Sequence, residues 1–337
     1  MNSREKVLRI FKRKSTGEAA FWTGHPNDET IPIYSKEWGI EPTREAIYSY
    51  LDDDARWLNA EQYYFHPDNL PMFDTGFQVN KSNTLSSAGC FAETEDVKEV
   101  EKYPWPDVKY LDFTDMYNVI DTFQDKMVMT GMWCPFFHLL HDFFGMENYF
   151  IKMYTDPDVV QAVTERMVDF YLQANAKWFD IIGDRMDAIF FGNDFGSQLD
   201  MLVSPEMFAK FIMPSFRKIT AQAKTRGYKV VLHSCGAIES VIPQLIDAGV
   251  DCLHPIQAKA RNMDAVSLAR KYGNDIVFMG GVDTQDLLPF GTPEQVYDEV
   301  MRLREIFGPN FIVSPSHEAM PDTPPENMEA MAKAASC

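Results

Sequence analysis

Two short segments hold side chains able to do chemistry at close quarters. Val230-Val231-Leu232-His233-Ser234-Cys235-Gly236 sets an imidazole and a thiol two residues apart, and Val313-Ser314-Pro315-Ser316-His317-Glu318 supplies a second imidazole. Each follows a short apolar run that ends in turn residues, which is how a buried strand finishes. Positions i and i+2 of a strand face the same way, so His233 and Cys235 are expected side by side. With His317 from a later strand they suit a three-ligand zinc site with an open fourth position. The same spacing also fits a half-buried cysteine beside two hydrogen-bonded histidines.

The elements that must position these residues alternate strand and helix through the second half of the chain. Ala188 to Asp194 reads as a buried strand, and Ser204-Pro205-Glu206 opens the next helix with an N-cap and a proline at N1. Strands are predicted at Lys229–Cys235, Asp251–Gln257, Asp275–Asp283 and Phe311–Ser314, with helices near Ile238–Ala248 and Ser267–Tyr272. Thr292-Pro293-Glu294-Gln295 is a capping box, and Thr323-Pro324-Pro325-Glu326 is expected to cap the last helix. Upstream, Met127 to Trp133 reads as a strand, Asp156-Pro157-Asp158 caps a helix, and Phe21-Trp22-Thr23-Gly24 is a candidate first strand.

Repeated βα units imply a parallel sheet with helices outside. The prediction is a single (β/α)8 barrel with additional N-terminal elements, one domain over residues 1–337. The stretch from about 35 to 110, rich in aromatic and acidic residues, is expected to be an irregular insertion or cover. Asp194, His233, Cys235, His254, Gln257, Asp283 and His317 all fall at strand ends, where such a barrel carries its active site.

Composition narrows the partners. Lys+Arg number 31 against 50 Asp+Glu, a net charge of −19 that disfavours nucleic acid and anionic membranes. Forty-five per cent hydrophobic residues can build a large core, yet no apolar run approaches a membrane span. The basic start, Met1 to Lys14, interleaves Val7, Leu8, Ile10 and Phe11 with charges and reads as an amphipathic helix. Five scattered cysteines fit a reducing cytoplasm better than a disulfide framework.

The chain resembles the uroporphyrinogen decarboxylase superfamily, which includes the decarboxylase and the zinc-dependent, corrinoid-linked methyltransferases. The resemblance covers most of residues 115–335. It is carried by Asp194–Pro205, His233-Ser234-Cys235-Gly236, Gly280-Gly281-Val282-Asp283-Thr284-Gln285, and Ser314-Pro315-Ser316-His317 followed by Pro321–Asn327. The decarboxylase grips its carboxylate-rich substrate with arginines on the first strand, but Phe21 to Asp28 contains no Arg or Lys. Arg56 and Arg261 read as isolated surface residues. The methyltransferase branch binds zinc through His-x-Cys and a later Cys. Here His233 and Cys235 match, and His317 stands at the third position; in the decarboxylase branch a histidine there touches substrate without metal.

The resemblance therefore implies a methyltransferase that exchanges methyl groups between a small substrate, or a thiol- or folate-type acceptor, and a corrinoid (cobalamin) carried by a partner protein. Zinc on His233, Cys235 and His317 would act as the Lewis acid. His25, His254 and Asp194 are candidates for substrate contact or proton traffic. Aromatic residues Trp22, Trp38, Trp57, Tyr63, Tyr64, Phe65 and Trp133 are candidates for an apolar pocket. Two other readings stay open: a metal-free decarboxylase of a less anionic substrate, and a non-catalytic barrel that binds corrinoid or porphyrin.

Overall fold

The computed structural model describes residues 1–15, 17, 19–76 and 87–337. Eight parallel strands form one sheet: β1 (Ala20–Phe21), β2 (Ala55–Asn59), β3 (Met127–Gly131), β4 (Ala188–Gly192), β5 (Lys229–His233), β6 (Cys252–Ile256), β7 (Val277–Val282) and β8 (Phe311–Pro315). Their order, β1-β8-β7-β6-β5-β4-β3-β2, brings the ends of the sheet round to each other as a (β/α)8 barrel.

Among the described residues no ladder joins β1 to β2; side chains close that seam. Asp54 N donates to Phe21 O at 2.9 Å, Phe21 N donates to the Asp54 carboxylate at 2.9 Å, and Thr23 N donates to Asp53 Oδ2 at 2.9 Å.

Strand alternation makes two cores. Ala20, Trp22, Ala55, Met127, Met129, Ala188, Phe190, Val231, Cys252, Val277, Met279 and Ile312 pack together inside the barrel. Their neighbours in sequence, such as Phe21, Val128, Ile189, Val230, Leu253, Phe278 and Val313, face outward under the helices. The amphipathic start forms α1 (Ser3–Phe11), which sends Val7, Ile10 and Phe11 into the inner core. It is pinned by Arg4 to Asp187 at 3.0 Å and by Lys6 to Asp54 at 2.6 Å.

The 35–110 stretch, expected as cover, contains β2 itself, along with most of α2 (Thr30–Trp38) and all of α3 (Arg44–Tyr50); residues 77–86 of it lie outside the described residues. Arg56, expected on the surface, is 3% exposed. Its guanidinium makes two 2.8 Å bonds to Glu45 and lies over the rings of Tyr48 and Phe123. The Thr292 capping box is present. The final helix begins at Pro325 with Pro324 as its N-cap, so Thr323 does not cap it; the Thr323 carbonyl accepts Tyr34 OH instead. Asp156 stands at the N-cap of the helix Pro157–Ile182, but its carboxylate goes to Lys152 and Thr155.

Candidate metal centre at the barrel mouth

The loops that leave β4 and β5 meet backbone to backbone, and this contact sets the site. Gly236 adopts φ +89°, and a Cβ there would lie 2.2 Å from Gly196 O, so only glycine fits. Gln257 holds the turn by accepting Gly236 N at 2.6 Å. Asn193 ties β4 to the next loop, accepting Phe137 N at 2.8 Å and donating to Cys134 O at 3.0 Å. These constraints aim Asp194 at the end of β5. Its Oδ1 accepts Cys235 N at 2.8 Å and stands 3.4 Å from His233 Nε2.

His233 Nε2 is in turn 3.5 Å from Cys235 Sγ. The donor atoms of Asp194, His233 and Cys235 all lie within 4.8 Å of one another. Zinc ligands with bonds of ~2.0–2.3 Å at tetrahedral angles sit roughly 3.3–3.6 Å apart. The two distances here match such edges, so the cluster fits a zinc ion. Its electrostatics point the same way. Burial pushes the Asp194 carboxyl up, but hydrogen bonds from His138 and His233 and the charge of His233 outweigh it and hold the group well below the usual carboxylate range. Burial and the adjacent Asp194 push the Cys235 thiol up. An ionised carboxylate against a reluctant thiol is a pair that a cation would satisfy, because the metal binds the thiolate.

Behind this cluster, His233 Nδ1 is 3.1 Å from His254 Nδ1. Burial, followed by the neighbouring His233 and His317, holds His254 well below the ordinary histidine range, so it is neutral. Nδ1–H of His233 can then donate to His254 and leave Nε2 free as a ligand, the outer-shell arrangement common to metal-bound histidines. His254 is only 6% exposed and packs on Trp22 and Phe190, which places it behind the ligand rather than in the mouth.

The other sequence candidates separate. His317 sits on the loop after β8 with an exposed side chain, and it is not among the donors brought together. His25 lies against Trp57, with ring centroids 5.2 Å apart, on the β1 side. Asp283 is a local cap that accepts the backbone N–H groups of Gln285, Asp286 and Leu287. Sequence reasoning missed His138, whose Nε2 is 3.5 Å from Asp194 Oδ2. It lies in the helix Phe136–Phe144 that follows β3, and the strand-exit rule applied to Met127–Trp133 pointed to that loop.

Of the aromatic candidates, Trp22, Trp57 and Trp133 surround Phe190 in the inner core and reach His233 and His254. Trp38 stacks on Tyr50, Tyr63 and Tyr64 pack against the outer core, and Phe65 is 59% exposed.

A (β/α)8 barrel with a buried carboxylate, imidazole and thiol grouped at the exits of β4 and β5 defines the class. More narrowly, the chain belongs to the uroporphyrinogen decarboxylase (URO-D) family, whose model matches residues 91–336. It is 30% identical over 194 residues to the "Methylated-thiol--coenzyme M methyltransferase" of Methanosarcina mazei, a match covering 56% of this chain and 48% of that protein. The chain thus spans about half the length of the curated relative it matches. A solved structure described as a methyltransferase from Methanosarcina mazei superposes with a TM-score of 0.72 at 16% identity, covering 99% of this chain and 98% of that one. That likeness shows the barrel fold. Among the described residues, no helix is long and apolar enough to cross a membrane.

Proposed function

We propose that the chain is a zinc-dependent methyltransferase that moves a methyl group between a small methylated substrate, or a thiol- or folate-type acceptor, and a corrinoid carried by a partner protein. The observation that carries this reading is the grouping of Asp194, His233 and Cys235 at tetrahedral-edge distances in the barrel mouth. Similarity to the Methanosarcina methyltransferase supports the reaction class.

His233 and Cys235 would hold the metal, with Asp194 in the third position in preference to His317, because Asp194 is already in place and His317 is not. A zinc ion bound there would supply Lewis acidity to a sulfur or oxygen of the substrate. The protein's own residues prepare the position. His254 fixes the His233 tautomer, Asp194 braces the Cys235 backbone, and His138 sits on the open side of Asp194 as a proton carrier. His317, exposed at the rim, is assigned to substrate contact.

Metal analysis of the purified protein tests the reading, with about one zinc per chain expected. Cys235→Ser and Asp194→Asn should each lose most of it, while His317→Ala should keep it and lose substrate affinity. Methyl transfer is then followed by the cobalt absorption spectrum with methylated thiols, amines and aromatics. Metal-free protein with full activity would refute the zinc assignment. Retention of zinc in Asp194→Asn together with its loss in His317→Ala would return the third position to His317.

A further inference from the structure

Across the mouth from the donor cluster, a cavity of about 240 Å³ opens at the β1–β2 seam. His25, Arg44, Glu45, Arg56, Trp57 and Asn59 are in its walls. His25 Nδ1 and Trp57 Nε1 are both buried there without a hydrogen-bond partner. Buried polar groups left unpaired cost ~1–3 kcal/mol each, so their partners are expected from outside the chain. An indole N–H only donates, so the missing partner is an acceptor. Two more orphans, Trp22 Nε1 and Ser314 Oγ, lie on the neighbouring strands β1 and β8, at 1% and 0% exposure.

Charge sharpens the acceptor's identity. In a chain of net −19, this cavity carries Arg44 and Arg56 against the single carboxylate of Glu45. Glu45 is fully engaged with Arg56 through its two 2.8 Å bonds. Arg44 is the surplus cation. Its own partner, Asp28, lies outside the cavity with 84% of its side chain exposed, where water weakens the pair. Burial and the Arg44 charge both hold His25 below its ordinary range, so it enters as a neutral hydrogen-bonding group.

We propose that this cavity is the subsite for the carboxylate of the substrate. The substrate is then a small carboxylate-bearing methylated compound whose methyl end faces Asp194, His233 and Cys235. This assignment rests on the barrel mouth being the substrate site and not on the metal.

The geometry suits one small anion. The Trp57 ring lies 5.1 Å from Trp133, which lies 5.4 Å from His233, so two ring contacts separate the cavity wall from the metal donors. The volume falls just below the ~300–1,000 Å³ of sites for drug-sized ligands, which suits a benzoate-sized group and excludes a tetrapyrrole.

The test is titration of the full-length protein with benzoate and with its neutral amide, benzamide, read by tryptophan fluorescence and calorimetry. Benzoate should bind at least tenfold more tightly. Arg44→Gln, at a partly exposed position, should remove most of that preference without shifting the melting temperature, and His25→Ala should weaken both ligands. Cys235→Ser should bind benzoate within twofold of wild type. Equal affinity for benzoate and benzamide, or a preference that survives Arg44→Gln, would overturn the subsite. Loss of benzoate binding in Cys235→Ser would move the anion to the metal centre and overturn it as well. Failure of the zinc reading, seen as full activity without metal, leaves these titrations unchanged, so the two ideas fail separately.

Discussion

Gly192, the last residue of β4, is where a single added methyl group should disturb the site most directly. Its Cβ would lie 2.1 Å from Trp133 Cζ2, 2.4 Å from Cη2 and 2.7 Å from Cε2. Carbon atoms rest at ~3.5–4.0 Å, so in Gly192→Ala the indole must retreat by at least about 1.4 Å. The backbone at Gly192 is not left-handed, so alanine is tolerated there apart from this clash. The indole cannot retreat freely, because its ring packs on Trp57, Phe190 and His233 at 5.1, 5.4 and 5.4 Å.

Overpacking of this kind costs ~1–3 kcal/mol. A chain of this size has an unfolding entropy of about 0.7 kcal/mol/K, so the melting temperature should fall by roughly 1.5–4 °C. Calorimetry measures the fall, and near-UV circular dichroism reports the displaced tryptophan. Removing the obstacle in Gly192→Ala/Trp133→Ala should cancel the steric part, leaving the double variant no less stable than Trp133→Ala alone. A single variant that melts within half a degree of wild type with an unchanged near-UV spectrum would refute the idea that Gly192 exists to seat Trp133.

His254→Phe keeps the ring volume but removes the acceptor for His233, and should weaken zinc binding by ~10–100-fold in a chelator competition; unchanged affinity would show that His254 does not orient the ligand. Burial pushes Glu61, which accepts Cys134 N at 3.0 Å, up to about 7 from 4.5. An acid whose pKa is raised on folding contributes stability that is full below its unfolded value and lost as pH rises through the folded one. Stability should therefore decline between about pH 4.5 and 7, and Glu61→Gln, which can still accept that hydrogen bond, should remove up to about 3 kcal/mol of the decline. An identical pH profile in the variant would contradict this. Uroporphyrinogen should not be decarboxylated at enzymatic rates, because Arg56 is paired to Glu45 and Phe21–Asp28 offers no cation; formation of coproporphyrinogen would overturn that.

The barrel was legible wherever strands are buried on both faces. Ala188–Gly192 and Phe311–Pro315 read as apolar runs with turns behind them, and both are strands. β2 was not legible because Arg56 interrupts its run, and its tolerance there depends on Glu45, Tyr48 and Phe123 from elsewhere in the chain. The pairing of His233 with Cys235 followed from strand alternation alone. The inward swing of Asp194 did not, since it is set by the Gly196–Gly236 contact and by Asn193, which are meetings of distant segments. For the same reason His138 went unnoticed, and His317 looked closer to the cluster than its loop carries it.

The β1–β2 seam has a consequence for how the barrel moves. Elsewhere each strand is held by a ladder of main-chain bonds, but β1 gains its second neighbour through the carboxylates of Asp53 and Asp54 and one peptide bond to Phe21. Such a joint can part without unzipping a ladder, so it should be the first stave to open in local fluctuations. In amide hydrogen exchange, Phe21 and Thr23 should then lose protection ahead of the amides in β4 and β5, whose opening requires far more of the barrel to come apart. The metal donors therefore stand on the rigid wall and His25 on the compliant one, an arrangement that lets the mouth adjust to what enters without disturbing the geometry on its far side.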